Sequence, residues 1–371
     1  MRSVDLNRLQ APYTSPKDMD LQFALALGVD TRAVERLFGE VFGDLDETVF
    51  GIGWWAPHPG TKRRILISHY LVDCIKSMST NITEAALHLY EAVEFWEKES
   101  EFVANAFSMD REGKPHVAMP RREKPEDDLA RRMATMHAVG FFRAAVGALD
   151  CLAAASVGVL GLPIDIKRTD LARTRNSLQG SSETLHKDFL SELDRTITES
   201  GAQGWLSWMV DLRNMVVHRG RRWHMNELIP APHLYRSDGK PIFRTTSVEH
   251  LPCQPDESQV EALVSAGTSV LTERGEDSLR GALKSSVALI DGVITRLLAV
   301  WKMRRANPSL IQQPPQQWPD RVRVASPSFE GFRPGSAPYD PKVWIANPEM
   351  ERQFRTAALD DDRRGLWKEF D

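Results

Sequence analysis

The sequence predicts a mainly α-helical protein: a helical bundle with a small β-hairpin insertion and an extended proline-rich C-terminal tail. Three observations carry this. Apolar residues recur three and four positions apart through most of the chain, as in Ile82, Ala86, Leu89, Val93 and Trp96, or Leu279, Leu283, Val287, Ile290, Ile294 and Leu297. That is the spacing of one face of a helix. The period changes between His233 and Thr246, where Leu-Tyr-Arg, a Ser-Asp-Gly-Lys turn and Ile-Phe-Arg-Thr-Thr read as a hairpin. After Asn307 prolines become too frequent for regular structure, with Pro308, Pro314, Pro315, Pro319, Pro327, Pro334, Pro338, Pro341 and Pro348.

Taken in order, the chain divides into four segments. Residues 1–60 form an N-terminal helical segment. Ser15-Pro16 signals a helix start before a stretch to about Leu27, Asp30 or Thr31 caps a second helix through Val41, and a Gly/Trp/Pro loop from Gly51 to Gly60 closes the segment. Residues 61–126 hold a long helical stretch from about Lys62 to Phe107, broken near Ser79–Asn81, and then a polar loop from Met109 to Pro125. Residues 127–306 form the bundle proper, with the hairpin at about 233–247. Its first helix runs from Asp127 to about Val159 in one or two pieces, and its Ala- and Gly-rich part allows close approach of a neighbouring helix. Ser181 or Ser182 caps the next helix, which turns Leu185, Phe189, Leu193 and Ile197 inward. Further helices run from Asp256 to about Thr272 and from Asp277 to Arg304. Residues 307–371 are the tail. Its aromatics, Trp318, Phe329, Phe332, Tyr339 and Trp344, suit packing across the body, and a short final helix is compatible with Pro348 to Phe370.

Composition narrows the function classes. Among 371 residues, 42% are hydrophobic and 26% charged, the balance of a soluble globular protein large enough for a sizeable core. A formal net charge of −4 supplies no overall basic field, so any nucleic-acid binding must be local. The three cysteines, Cys74, Cys151 and Cys253, are far apart and odd in number, which fits thiols in a reducing compartment. The N-terminus lacks the apolar core of a signal peptide. The most membrane-like stretch, Ala138 to Leu162, carries Arg143 and Asp150 and reads as a packed central helix. The expected location is cytoplasmic, with no membrane partner.

The densest chemistry lies in Asp211-Leu-Arg-Asn-Met-Val-Val-His-Arg-Gly220. Asn214 and His218 are four apart and share one helix face, which Asp211 and Ser207 extend backwards. Trp205, Trp208, Leu212 and Val216 form the opposite, apolar face. Gly204 precedes this helix and Gly220 is placed to end it, so His218 falls in the last turn, where the helix dipole favours the imidazolium. Arg213 lies beside Asn214 with a side chain long enough to reach the polar edge. Other histidines, among them His69, His116 and His137, also follow an arginine by five residues, but none has a polar residue directly after that arginine and an apolar filling.

Through Arg213, Asn214 and His218 the chain resembles the HEPN superfamily, marked by an arginine, a polar residue and then a histidine four to six positions beyond the arginine, within a small helical bundle. The resemblance covers about residues 135–305. It implies a metal-independent endoribonuclease, active where two copies of the motif meet in a homodimer, and in many relatives the toxin or antiviral effector arm of a defence system. It also implies RNA as substrate and leaves room for an antitoxin or regulatory protein as partner. The residues suit that chemistry. His218 can move protons near neutral pH, Arg213 can stabilise charge growing on a phosphate, and Asn214 can hold either by hydrogen bonds. Arg219, Arg221 and Arg222 follow at once and suit the flanking RNA backbone. The alternative is a non-catalytic HEPN-like interaction or nucleotide-binding module, since some relatives keep the fold without cutting RNA.

Other chemistries have no footing in the sequence. There is no phosphate-binding G-x-x-x-x-G-K-[ST] loop, no G-x-G-x-x-G, no G-x-S-x-G and no C-x-x-C. His224 and His233 near His218 are separated by a loop with Pro230 and Pro232 and lack a carboxylate cluster, so neither a metal nor a cofactor is expected. His137, on an apolar helix, reads as a satisfied core histidine.

Overall fold

A computed structural model describes residues 23–44, 61–104, 107–109, 115–117, 125–164, 169–218, 227–235, 241–246 and 275–307. The protein is mainly α-helical. Among the described residues, after a short helical stretch at 23–26, the helices are α1 (Arg32–Asp44), α2 (Thr61–Ala104), α3 (Pro125–Leu160), α4 (Leu171–Gln179), α5 (Thr184–Ser200), α6 (Trp205–His218) and α7 (Gly275–Ala306). Two antiparallel strand pairs accompany them. In the first, β1 (Phe107–Met109) meets β2 (Pro115–Val117) with Ser108 opposite His116. In the second, β3 (Glu227–Tyr235) meets β4 (Pro241–Thr246) with Leu228 opposite Thr245. Of the sequence expectations, the N-terminal helix before Phe23, the Asp256–Thr272 helix, the turn between β3 and β4, and the tail after Asn307 lie outside the described residues.

Several boundaries differ from the sequence reading. α2 runs unbroken through Ser79–Asn81. Serine, threonine and asparagine weaken a helix only mildly, and here Asn81 lies against the backbone of α3 at Gly147. α2 ends at Ala104, and Phe107 begins β1 instead of closing the helix; the expected polar loop contains β2. α3 is a single helix of 36 residues. α4 was not anticipated, because it is short and polar and buries only Thr174 and Leu178. Asp170 caps it by accepting from the Arg173 amide at 2.8 Å. At α1 the Asp30 carboxylate accepts from the Arg32 amide at 3.0 Å, and the helix continues to Asp44.

The chain forms two compact units that interleave along the sequence, whereas composition divides it into consecutive segments. One comprises residues through Ala33, Ser77–Leu149 and Glu192–Val293; the other comprises Val34–Lys76, Asp150–Ser191 and the residues from Ile294.

In the first unit the Gly- and Ala-rich part of α3 meets α2 as its composition suggests. A Cβ on Gly140 would stand 2.5 Å from His88 Nε2, and one on Gly147 would stand 3.3 Å from the Asn81 amide nitrogen. Seven residues separate Gly140 from Gly147, and seven separate Asn81 from His88 in the reverse direction, which is two turns of each helix run antiparallel. Gly201 and Gly292 receive Ser285 and Thr196 in the same manner, closing α5 on α7.

In the second unit Gly158 admits Leu71, whose Cδ1 lies 2.7 Å from where a Cβ would be. Here the C-terminus of α3 is fully closed. The last four carbonyls of a helix have no partner within it. Val157 O accepts from the Leu162 amide at 3.1 Å, which Gly161 makes possible by turning the chain at φ +65°. Gly158 O and Val159 O accept from Arg304 Nη1 at 3.2 and 2.6 Å, and Leu160 O accepts from His186 Nε2 at 2.9 Å. Arg304 and His186 are both buried, and burial lowers the Arg304 guanidinium to about 10. Asp128–Leu160 is long and apolar enough to cross a membrane, but most of its apolar window is buried inside the fold, the condition of a core helix.

Candidate functional site

The motif sits on α6. Gly204, at φ +80°, turns the chain into this helix, and Trp208 N closes the first turn on Gly204 O at 3.0 Å. The apolar face anchors it in the first unit. Trp205, Met209 and Leu212 are buried, and Trp208 and Val216 are half-buried. Met209 was absent from the sequence-derived stripe, yet it is the most deeply buried of the set and receives the Ser286 hydroxyl of α7 at 3.7 Å. Trp205 Nε1 donates to Ile197 O at 3.2 Å, tying α6 to α5. Trp208 meets Phe142 of α3 edge to face, with ring centroids 5.7 Å apart. The helix is therefore fixed by α3, α5 and α7 at once.

On that scaffold Arg213 and Asn214 are half-buried, and Asp211 and Ser207 are exposed. Ser207 turns its hydroxyl back to Gly204 O at 3.0 Å. His218 is the last residue of α6, in the terminal turn where the sequence places it. Its side chain lies outside the described residues, as do Arg219, Arg221, Arg222, Gly220 and His224. The helical backbone brings Asn214 and His218 to one face, a turn apart. Arg213 is already engaged by a neighbouring group within the fold. Among the described residues, no group of three or more His, Cys, Asp or Glu side chains is placed to hold a metal ion.

A second constellation was missed in the sequence. His88 of α2 and His137 of α3 stand with their Nδ1 atoms 3.0 Å apart. Phe95 stacks on the His137 ring at 5.7 Å between centroids, nearly parallel at 10°. Glu84 lies 3.6 Å from His88 Nε2. His137 is thus half-buried and satisfied, as the sequence suggests, with a second imidazole as the partner that satisfies it. Burial, followed by the charge of His88, holds His137 below the ordinary histidine range, against the opposing pull of Glu91. The two residues are 49 positions apart, and only the antiparallel pairing of α2 and α3 joins them.

Comparison of the chain with protein-family models, with curated proteins and with solved structures finds no match.

Proposed function

We propose that the chain is a metal-independent endoribonuclease built on a HEPN-like helical bundle and working inside the cell as a homodimer. One observation carries the reading most. α6 places an arginine, an amide and a histidine within its last six residues, on a helix held rigidly from its apolar side. A rigid element that carries these three residue types suits phosphodiester cleavage without a metal.

In this reading His218 accepts the 2′-hydroxyl proton as that oxygen attacks phosphorus, and a protonated histidine from the second copy of the motif supplies a proton to the departing 5′-oxygen. Arg213 neutralises charge on the phosphoryl oxygens. Asn214 orients the imidazole or the phosphate. Arg219, Arg221 and Arg222 bind the flanking backbone, a local basic run in a chain of net charge −4. A place as the toxin or antiviral arm of a defence system, paired with an antitoxin or regulatory protein, follows from the family resemblance and belongs to the same proposal.

The second reading is a non-catalytic interaction or nucleotide-binding module on the same scaffold. It draws on Arg213, which is half-buried and engaged within the fold before any ligand arrives.

The experiment is cleavage of mixed RNA by the purified chain in EDTA, with Arg213→Ala and His218→Ala in parallel and their folding checked by circular dichroism. Cutting by the wild type that both folded variants lose supports the nuclease. No cutting by the wild type, or cutting that the folded variants retain, overturns it.

A further inference from the structure

We propose that His88 and His137 form a shared-proton latch between α2 and α3, closed while one proton lies between their Nδ1 atoms and opened when the pair takes up a second. The latch is an acid-sensitive device within the first unit and stands apart from the motif on α6.

The geometry distinguishes a proton bridge from a metal chelate. The ring centroids are 5.2 Å apart, close to the greatest separation that a 3.0 Å Nδ1···Nδ1 contact allows. The two nitrogens therefore face one another nearly in line, as a hydrogen bond prefers. A chelated ion needs both lone pairs to converge on a third point, which draws the rings closer together. The approach of Glu84 to His88 Nε2 favours a proton at that nitrogen, which leaves His88 Nδ1 to accept from the Nδ1–H of His137. Adding one proton to the pair keeps a donor and an acceptor across the gap. Adding two leaves N–H facing N–H and cation facing cation, and the bridge cannot persist.

The surroundings convert this loss into movement. His88 cannot recede into α3, because its ring already lies where a Cβ on Gly140 would be. Phe95 stacks on His137. The open direction for the His88 ring is outward, toward the exposed Glu84. Among the described residues, the charged groups that face the pair lie on α2. Glu84 faces His88, Glu91 acts on His137, and Lys98 reaches the Phe95 ring at 4.7 Å, all from α2. From α3 His137 itself is the titrating group. α6 touches this part of α3 through the uncharged Trp208 on Phe142, and α7 touches α2 through Gly275 on Trp96.

The sign follows from the burial of His137. A histidine held below its ordinary value of 6.5 leaves stability complete above that pH and draws it down as the pH falls further.

Hydrogen exchange of the full chain, corrected for the intrinsic pH effect, tests the latch over residues 84–91 and 133–140. Protection of these segments in the wild type is expected to fall about tenfold or more between about pH 7 and pH 5. His88→Asn places a non-titrating amide at the Nδ1 position, where it can still accept from His137, so the step is expected to shrink to the part that the burial of His137 alone contributes. His88→Ala is expected to lower protection at both. A wild type with no pH step in these segments, or a His88→Asn variant with the same step as wild type, overturns the proposal. Ring-nitrogen NMR of the wild type gives a second measurement that depends on no variant. Two coupled titration steps shared by both rings are expected; two independent single steps overturn the latch.

Discussion

The indole Nε1–H of Trp301 donates to Asp44 Oδ2 at 2.7 Å, joining the last turns of α7 to the end of α1 across 257 positions of sequence. Both residues are buried. Around them Arg305 reaches Asp44 and Glu40 at 3.3 and 3.1 Å, and Lys302 reaches Glu40 at 3.2 Å. The Asp44 carboxylate in turn holds the Arg305 guanidinium above its ordinary range. Asp44 thus serves a buried donor and a half-exposed cation together.

Asp44→Ala is expected to cost about 1–3 kcal/mol, because it strands a buried N–H that had a charged acceptor. Asp44→Asn keeps an acceptor for the indole and is expected to lose less. Urea unfolding of the two variants against wild type measures the difference, and equal losses would refute a specific role for the Trp301 bond.

Arg304 makes a sharper case. It supplies two of the four donors that close the C-terminus of α3. Arg304→Met is expected to destabilise by about 3 kcal/mol, since Gly158 O and Val159 O lose charged donors in a buried setting. Arg304→Lys keeps the charge without the planar fork and is expected to recover only part of that loss. Chemical denaturation ranks the three proteins; a lysine variant as stable as wild type would sink the geometric argument.

Two glycines should respond to alanine with opposite signs. Gly281 lies exposed within α7 with open space where a Cβ would go, so Gly281→Ala is expected to gain about 0.5–1 kcal/mol from helix propensity. Gly140→Ala is expected to lose stability, because the clash with the bonded His88 ring costs about 1–3 kcal/mol. In a His88→Ala background the Gly140→Ala penalty should vanish. Thermal melts of the double-mutant cycle read this coupling directly.

Asp128 opens α3 with a local pairing that acid should dissolve. The hydrogen bond from Arg131, aided by Arg132, holds its carboxyl at about 2, below the ordinary 3.8. Its contribution to stability is therefore complete above 3.8 and disappears as the pH falls through 2. Carboxyl-carbon NMR is expected to place the midpoint near the lower value and to move it upward in Arg131→Ala. A midpoint unmoved by that substitution would discount the pairing.

Helix periodicity made the elements legible and left their partners obscure. The stripe from Leu279 to Leu297 marks the inner face of α7, but it does not extend to Trp301 and Arg304. They continue the same face and are buried. A charged residue inside a fold has no signal in a hydrophobic pattern; the open carbonyls of Gly158 and Val159 at the end of α3 give this one its acceptors. The Ala/Gly run in α3 correctly announced a close helix contact, yet nothing in it named α2 as the neighbour. The motif on α6 was legible as far as helix, face and terminal turn, while the burial of Met209 exceeded what its place in the sequence suggested. His137 reads as a core histidine and His88 carries no signal of its own, and their meeting depends on an antiparallel register that no local pattern encodes.

That register has a consequence for how the chain can vary. His88 fits over Gly140, and Asn81 lies against Gly147 two turns away. Adding a residue to α3 between these glycines would rotate one notch off the seam by about 100°. The lengths of α2 and α3 across this span are consequently tied. A deletion or insertion within this span keeps both contacts only when it is matched in the other helix; even seven residues added to one helix alone, which restore the facing, move one notch about 10 Å along the seam.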